Sequence, residues 1–206
     1  MRRTALVILA LAGMAIGPCG SYGASPPDPV ELDRIERYLN DVKTMESRFV
    51  QVASDGSSAT GSIYISRPGK LRVAYDPPNP ITVVATGVLL VYYDPEVQQV
   101  SYFPLESSAA SFLIRERIEL GGELEVLGLE YGPSVIRLSL AERDDRAAGR
   151  ITLVFSDKPL MLRKWTVTDA QGQVTDVALV NPRFDVPLDP VLFKFVDPRP
   201  DARPNR

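Results

Sequence analysis

Residues 61–103 read GSIYISRPGKLRVAYDPPNPITVVATGVLLVYYDPEVQQVSYF. Short runs rich in Val, Ile and Tyr are separated by Arg67-Pro68-Gly69-Lys70, Asp76-Pro77-Pro78-Asn79-Pro80, Thr86-Gly87 and Asp94-Pro95-Glu96. Runs of that length between Gly and Pro clusters predict antiparallel strands joined by short turns. Within 70–76, Leu71, Val73 and Tyr75 share one face, and Lys70, Arg72 and Asp76 lie on the other. One face of this sheet is therefore apolar and the other wet. What covers the apolar face is the functional question.

The flanking segments extend the same pattern. Pro26, Pro27 and Pro29 mark a loose lead-in. Leu32, Ile35, Tyr38, Leu39 and Val42 then recur at helical spacing and predict an amphipathic helix over 30–43. Phe49 and Val50 belong to a first strand over 47–54, turned into the sheet by Ser54-Asp55-Gly56-Ser57. After Phe103, the Ala- and Leu-containing stretch 105–117 lacks turn signals and predicts a second, short helix. Strands resume over 123–131 and 135–140, and a charged loop follows at 142–148. Ile151, Leu153 and Phe155 share one face of the next strand, and 161–168 with 173–180 form a hairpin. Leu188–Phe193 begins as a capped helical turn, Phe195 falls in a last strand, and 197–206 is a loose tail. About ten antiparallel strands in one sheet must curl or close. The expected fold is mainly β: a curved antiparallel sheet, with the helices at 30–43 and 105–117 as the candidates to cover its concave face.

Composition excludes whole classes of function. With 206 residues and 45% hydrophobic content the chain suits one β-rich domain. A net charge of −3 without a Lys/Arg block disfavours nucleic acid as a partner. Zero histidines remove His-based triads, most zinc sites and the usual general base. The expectation is a non-enzyme with no catalytic residue, no metal and no cofactor. Asp144-Asp145 and Glu116/Glu119 are the carboxylate pairs on which a hydrolase reading would rest, and a solvated surface is the competing reading. At the N-terminus, Arg2 and Arg3 precede an apolar run from Thr4 to Ile16, with Ser21 and Gly23 spaced for cleavage before Ala24. The expected division is a signal peptide over 1–23 and a single exported domain over 24–206. The lone cysteine, Cys19, falls in the leader, and Pro18 before it does not suit lipidation. A thiol-free mature chain fits an oxidising envelope compartment.

Several elements occur together in an order that carries a resemblance. They are Phe49-Val50-Gln51, Arg67-Pro68 before a strand, and Gly87 leading to Leu90 and then Tyr93-Asp94-Pro95 with Gln99. Phe112-Leu113-Ile114 and Phe193-Lys194-Phe195 with Pro198 complete the set, which spans nearly all of 30–198. The chain resembles the LolA family, periplasmic carriers of outer-membrane lipoproteins; Thr86 and Val91 stand where that family often has Asp and Trp. The resemblance implies an incomplete, half-open β-barrel covered by short α-helices over a hydrophobic cavity, and a monomeric periplasmic carrier that binds lipoprotein acyl chains. It would take them from an inner-membrane ABC transporter and deliver them to an outer-membrane acceptor lipoprotein, or to the outer membrane directly. A half-barrel binding or sensing another lipid or amphiphile is the alternative. The candidate cavity lining is Phe49, Leu71, Val73, Tyr75, Phe112, Leu113, Ile114, Ile151, Leu153 and Phe155, each of which could equally be ordinary core. The resemblance further implies that Arg67 ties the sheet rim to the lid and holds the empty cavity shut; a solvated turn arginine is the alternative.

Overall fold

The computed structural model describes residues 27–105 and 111–199. The expected leader therefore lies outside the described residues, as do 200–206 of the expected tail. Eleven strands form one antiparallel sheet: β1 (Thr44–Ala53), β2 (Ser58–Ser66), β3 (Lys70–Tyr75), β4 (Thr82–Thr86), β5 (Leu89–Asp94), β6 (Gln99–Pro104), β7 (Leu124–Gly132), β8 (Val135–Glu142), β9 (Gly149–Ser156), β10 (Met161–Asp169) and β11 (Val174–Phe184). Their spatial order is β6-β5-β4-β3-β2-β1-β11-β10-β9-β8-β7. Two meanders thus meet where β1 pairs with β11, and the sheet stays open, with β6 and β7 as its edges. Residues 105–123 connect those two edges.

Strand alternation builds a single inner face. Ile63 and Ile65 of β2 lie opposite Val73 and Leu71 of β3, and Phe49 of β1 opposite Leu179 of β11. In the other meander Ile151, Leu153 and Phe155 of β9 are in register with Leu140, Leu138 and Ile136 of β8. All these side chains join one apolar cluster, in which Leu138, Leu153 and Phe155 are completely buried. The register slips in β1 near Ser47, in β10 near Arg163 and in β7 near Leu127, and bulges of this kind bend a sheet around what it covers.

One α-helix, α1 (Pro29–Asp41), packs on the inner face through Ile35 and Leu39. The side chain of Asp28 accepts from the amide of Val30, and Pro29 occupies the first turn where its missing N–H is harmless. Pro29 is therefore helical rather than part of a loose lead-in. The second helix expected over 105–117 is corrected: residues 106–110 lie outside the described residues, and a 3-10 turn, Ser111–Ile114, is followed by backbone without regular secondary structure. Its turn is held by outside partners, with the Gly69 amide donating to the Ile114 carbonyl at 2.7 Å, so helix propensity does not decide its form.

The last strand expected around Phe195 is also absent among the described residues. A 3-10 turn, Pro190–Phe193, is capped by Asp189, and the chain then lies across the outer face of β3–β5 without strand pairing. Phe193 is buried there, and Phe195 meets Tyr93 with ring centroids 6.0 Å apart. Side-chain burial anchors this segment where backbone pairing was expected. Asp197 and Arg199 pair with each other at 2.6 Å, so the first part of the expected tail has local structure.

Gly61 shows how tightly the inner face is built. A Cβ there would sit 2.3 Å from the Ala74 carbonyl oxygen and 2.7 Å from the Phe49 ring, which lies over the glycine in the adjoining strand. Gly61→Val should therefore displace Phe49 and destabilise the fold by about 3 kcal/mol. Urea unfolding checks this; a midpoint within error of the parent would mean Phe49 is not held as described.

Candidate functional site

The inner face and its cover form the candidate site. Of the predicted lining residues, Phe49, Leu71, Phe112, Leu113, Ile114, Ile151, Leu153 and Phe155 are buried, and Val73 and Tyr75 are half-buried against the same cluster. All ten are brought together on one apolar surface. Phe49 and Tyr75 meet edge to face at 5.3 Å, and the Tyr75 hydroxyl donates to Gln51 Oε1 at 2.9 Å. Burial raises the Tyr75 phenol above its ordinary pKa. Under α1 a cavity of about 30 Å³ remains, lined by Tyr38, Leu39, Val42, Met45, Ile65, Leu113 and their neighbours. That is room for little more than one water. In this structure the candidate lining residues are packed core.

Besides its apolar packing, the cover makes polar contacts to backbone, and Arg67 is their hub. Its position at the end of β2 places the guanidinium between the C-terminus of α1 and the 111–117 segment. Nε donates to the Arg115 carbonyl at 2.7 Å; Nη1 donates to the Leu39 carbonyl and, at 3.3 Å, to that of Val42. Nη2 donates to the Glu116 carbonyl at 3.3 Å and to Asn40 Oδ1 at 3.5 Å. Every one of these acceptors is neutral. Desolvation lowers the Arg67 pKa from its ordinary value, and no carboxylate among its partners offsets it. The last carbonyls of a helix are unsatisfied within the helix, so a cation at that end is favoured twice, by hydrogen bonds and by the dipole.

Residues the sequence did not single out complete the tie. Asn40 accepts from the Ile118 amide at 2.9 Å and donates to the Ile118 carbonyl at 2.8 Å, pairing with that residue as a neighbouring strand would. Glu36 accepts from the Leu120 amide at 2.8 Å. Arg115 is gripped in turn by Glu142 at 2.6 Å and Glu123 at 3.0 Å. At the other side of α1, Arg34 pairs with Asp157 at 2.7 Å, and the Tyr38 hydroxyl accepts from the Leu162 amide at 2.9 Å. The one available signal was Asn40 itself, a poor helix former beside the apolar stripe of α1. Its partner residues were invisible, because they are backbone groups in a distant segment.

Of the carboxylates considered for acid–base work, Glu116 lines an open surface depression with Glu123, Glu142, Arg115 and Arg117, and the others do not line it. Asp144 and Asp145 are exposed in the β8–β9 connection, and Glu119 is ion-paired with Arg117 on the surface. Among the described residues no group of His, Cys, Asp and Glu could hold a metal ion.

An open antiparallel sheet with an apolar inner face, roofed by one helix and a crossover segment, defines an incomplete β-barrel with a cover. Residues 40–196 match the family described as outer membrane lipoprotein carrier protein LolA, and the chain belongs to that family. Among similar proteins, the outer-membrane lipoprotein carrier protein of Methylococcus capsulatus is 29% identical over 190 residues, covering 85% of this chain and 88% of its own. That of Azotobacter vinelandii is 24% identical over 207 residues, covering 96% of each. A crystal structure of a DUF1329 family protein from Desulfovibrio piger has a similar fold, with a TM-score of 0.50 at 14% identity over 80% of this chain and 95% of that one.

Asn40→Ala should loosen the cover selectively. The substitution frees both backbone groups of Ile118, while alanine's higher helix propensity supports α1. Amide exchange at Ile118 and Leu120 should speed up by roughly tenfold or more, with little change in the strands. A uniform acceleration across the sheet would show instead that Asn40 stabilises the whole fold.

Proposed function

We propose that this protein is a periplasmic carrier that binds the acyl chains of lipoproteins on its inner face. It would collect them from an inner-membrane lipoprotein-releasing ABC transporter and yield them to an outer-membrane acceptor lipoprotein, or to the outer membrane itself. In this reading residues 1–23 are a cleaved leader, residues 24–206 act as one monomeric domain, and the protein makes and breaks no covalent bonds. Membership of the family supports the class of cargo. The observation that carries the mechanism is the Arg67 cluster: over a largely apolar face, one guanidinium joins both parts of the cover through neutral acceptors, alongside the Asn40, Glu36 and ion-pair contacts.

Such a tie suits reversible opening. Each acyl methylene taken out of water is worth about 0.8 kcal/mol, so a chain of about 15 methylenes represents on the order of 12 kcal/mol. The carrier need supply only part of that, because cargo must later leave. When the cover lifts, chains replace the contacts that Phe112, Leu113 and Ile114 make with the sheet. The guanidinium regains water, so the lost hydrogen bonds are largely replaced, at a net of about 0.5–1.5 kcal/mol each. The closed form then competes with cargo for the same surface and helps expel it.

Arg67→Leu separates this from passive binding. Weakening the closed form should leave loading at or above the parent level, while onward transfer falls several-fold because closure no longer displaces the chains. The assay follows a lipoprotein from inner-membrane vesicles to the carrier and from the carrier to outer-membrane vesicles. Parent-like behaviour in both steps would reduce Arg67 to a turn residue. Co-purification of free lipid alone, with no lipoprotein, would favour the amphiphile-binding alternative.

A further inference from the structure

The inner face, the Arg67 cluster and the cover belong to the site already described, but the two ends of the sheet do not. β6 and β7 are both edges, and they differ chemically. β7 is blunted in several ways. Its register slips between Val126 and Gly128, Glu125 pairs with Arg146, Glu130 is exposed, and Leu120 bridges to Leu124 at its start. β6 has an unbroken register with β5 from Gln99 to Pro104 and carries no charge. Tyr102 and Phe103 are 47% and 45% exposed. A flat, uncharged, partly apolar edge is a template for another strand, and proteins normally disguise one.

The direction of the free groups follows from the ladder. The Leu105 amide donates to the Val88 carbonyl at 3.2 Å, continuing the β5–β6 register by one pair. In an antiparallel pair, bonded and non-bonded positions alternate. The amides of Phe103, Ser101 and Gln99 therefore face β5, and the N–H and C=O groups of Val100 and Tyr102 face away from it. Pro104 falls at the next outward position, where an absent N–H removes no bond to β5.

We propose that β6 receives the extended polypeptide that follows the acylated residue of the cargo, which adds to the sheet as a further strand. This rests on the carrier reading above and names the second thing the carrier would grip. β6 borders the opening of the sheet, and Phe103 lies in register with Leu90, which packs on the inner apolar cluster. A peptide tethered to chains on the inner face and leaving past this rim meets the outward main-chain groups of Val100 and Tyr102 at once. At the other rim it meets a bulge and carboxylates. Main-chain pairing requires no particular sequence, so cargo proteins alike only in their acyl groups would all satisfy it. The chain's own residues 200–206 follow Arg199, but Pro200 and Pro204 make them poor strand formers.

The test compares two ligands: a diacylated cysteine, and the same group followed by a short peptide of Ser, Thr and Val. The full-length mature protein should bind the lipopeptide roughly tenfold more tightly, the weight of a few net hydrogen bonds. Val100→Pro removes an outward amide and should lose that gain while binding the bare acylated cysteine as the parent does. Tyr102→Pro removes the other outward amide and serves if the first variant fails to fold. Amide exchange at Val100 and Tyr102 should slow with lipopeptide and not with the bare ligand. Equal affinity for the two ligands, or a gain that survives in both variants, would overturn the strand and leave the carrier reading standing. Binding of neither ligand would sink both. Slowed exchange without ligand that depends on protein concentration, or vanishes on deleting 200–206, would assign the edge to a second copy or to the tail, and equally overturns the proposal.

Discussion

A half-buried guanidinium bonded to neutral oxygens holds the cover of this protein in place. Arg67 reaches the carbonyls of Leu39 and Val42 on one side and of Arg115 and Glu116 on the other, so a single side chain joins α1, the crossover and the end of β2. A buried ion pair in that position would be expensive to break, because separation leaves a charge stranded. Carbonyl partners differ: once exposed, both they and the guanidinium are satisfied by water. The tie is specific in geometry and modest in energy, which suits the opening cover of the proposed carrier.

The same logic applies to the apolar surface beneath. Phe49, Leu71 and Phe112 are packed as a core, and among the described residues a cavity of about 30 Å³ lies under α1. A permanently open cavity lined by such residues would expose a large apolar patch to water and to other proteins. Filling the face with the cover's own Phe112, Leu113 and Ile114 avoids that, and it makes the cover an internal competitor for cargo in the proposed carrier. Binding strength then depends on the difference between two apolar packings, so a few hydrogen bonds at Arg67 are enough to tip it.

The sequence disclosed the sheet more readily than the cover. Alternation at Leu71/Val73/Tyr75 and Ile151/Leu153/Phe155, with turns marked by Gly and Pro, sufficed for nearly every strand, because a half-buried antiparallel sheet writes its period into the chain. Two segments departed from their local pattern. Residues 111–117 carry helix-forming side chains yet follow the hydrogen bonds offered by Gly69 and Arg67, and the chain around Phe195 is anchored by burial of Phe193 on the outer face. The placing of Arg67 needed the family pattern, since an Arg-Pro-Gly alone is an ordinary turn. Asn40 and Glu36 were illegible as ties, because they bind backbone amides 78 and 84 residues away, where no side-chain identity advertises the partner.

The central claim is that the cover moves off the sheet when the inner face is filled. The mature chain as read here has no cysteine, so spin labels at Lys70→Cys and Arg117→Cys would report one distance across the Arg67 contact, between the sheet rim and the crossover. Pulsed dipolar spectroscopy should give one short, narrow distance distribution for the empty protein. With a diacylated lipopeptide bound, a longer and broader distribution should replace it. An unchanged distribution at saturating lipopeptide would contradict the account, because acyl chains would then be held without displacing the cover.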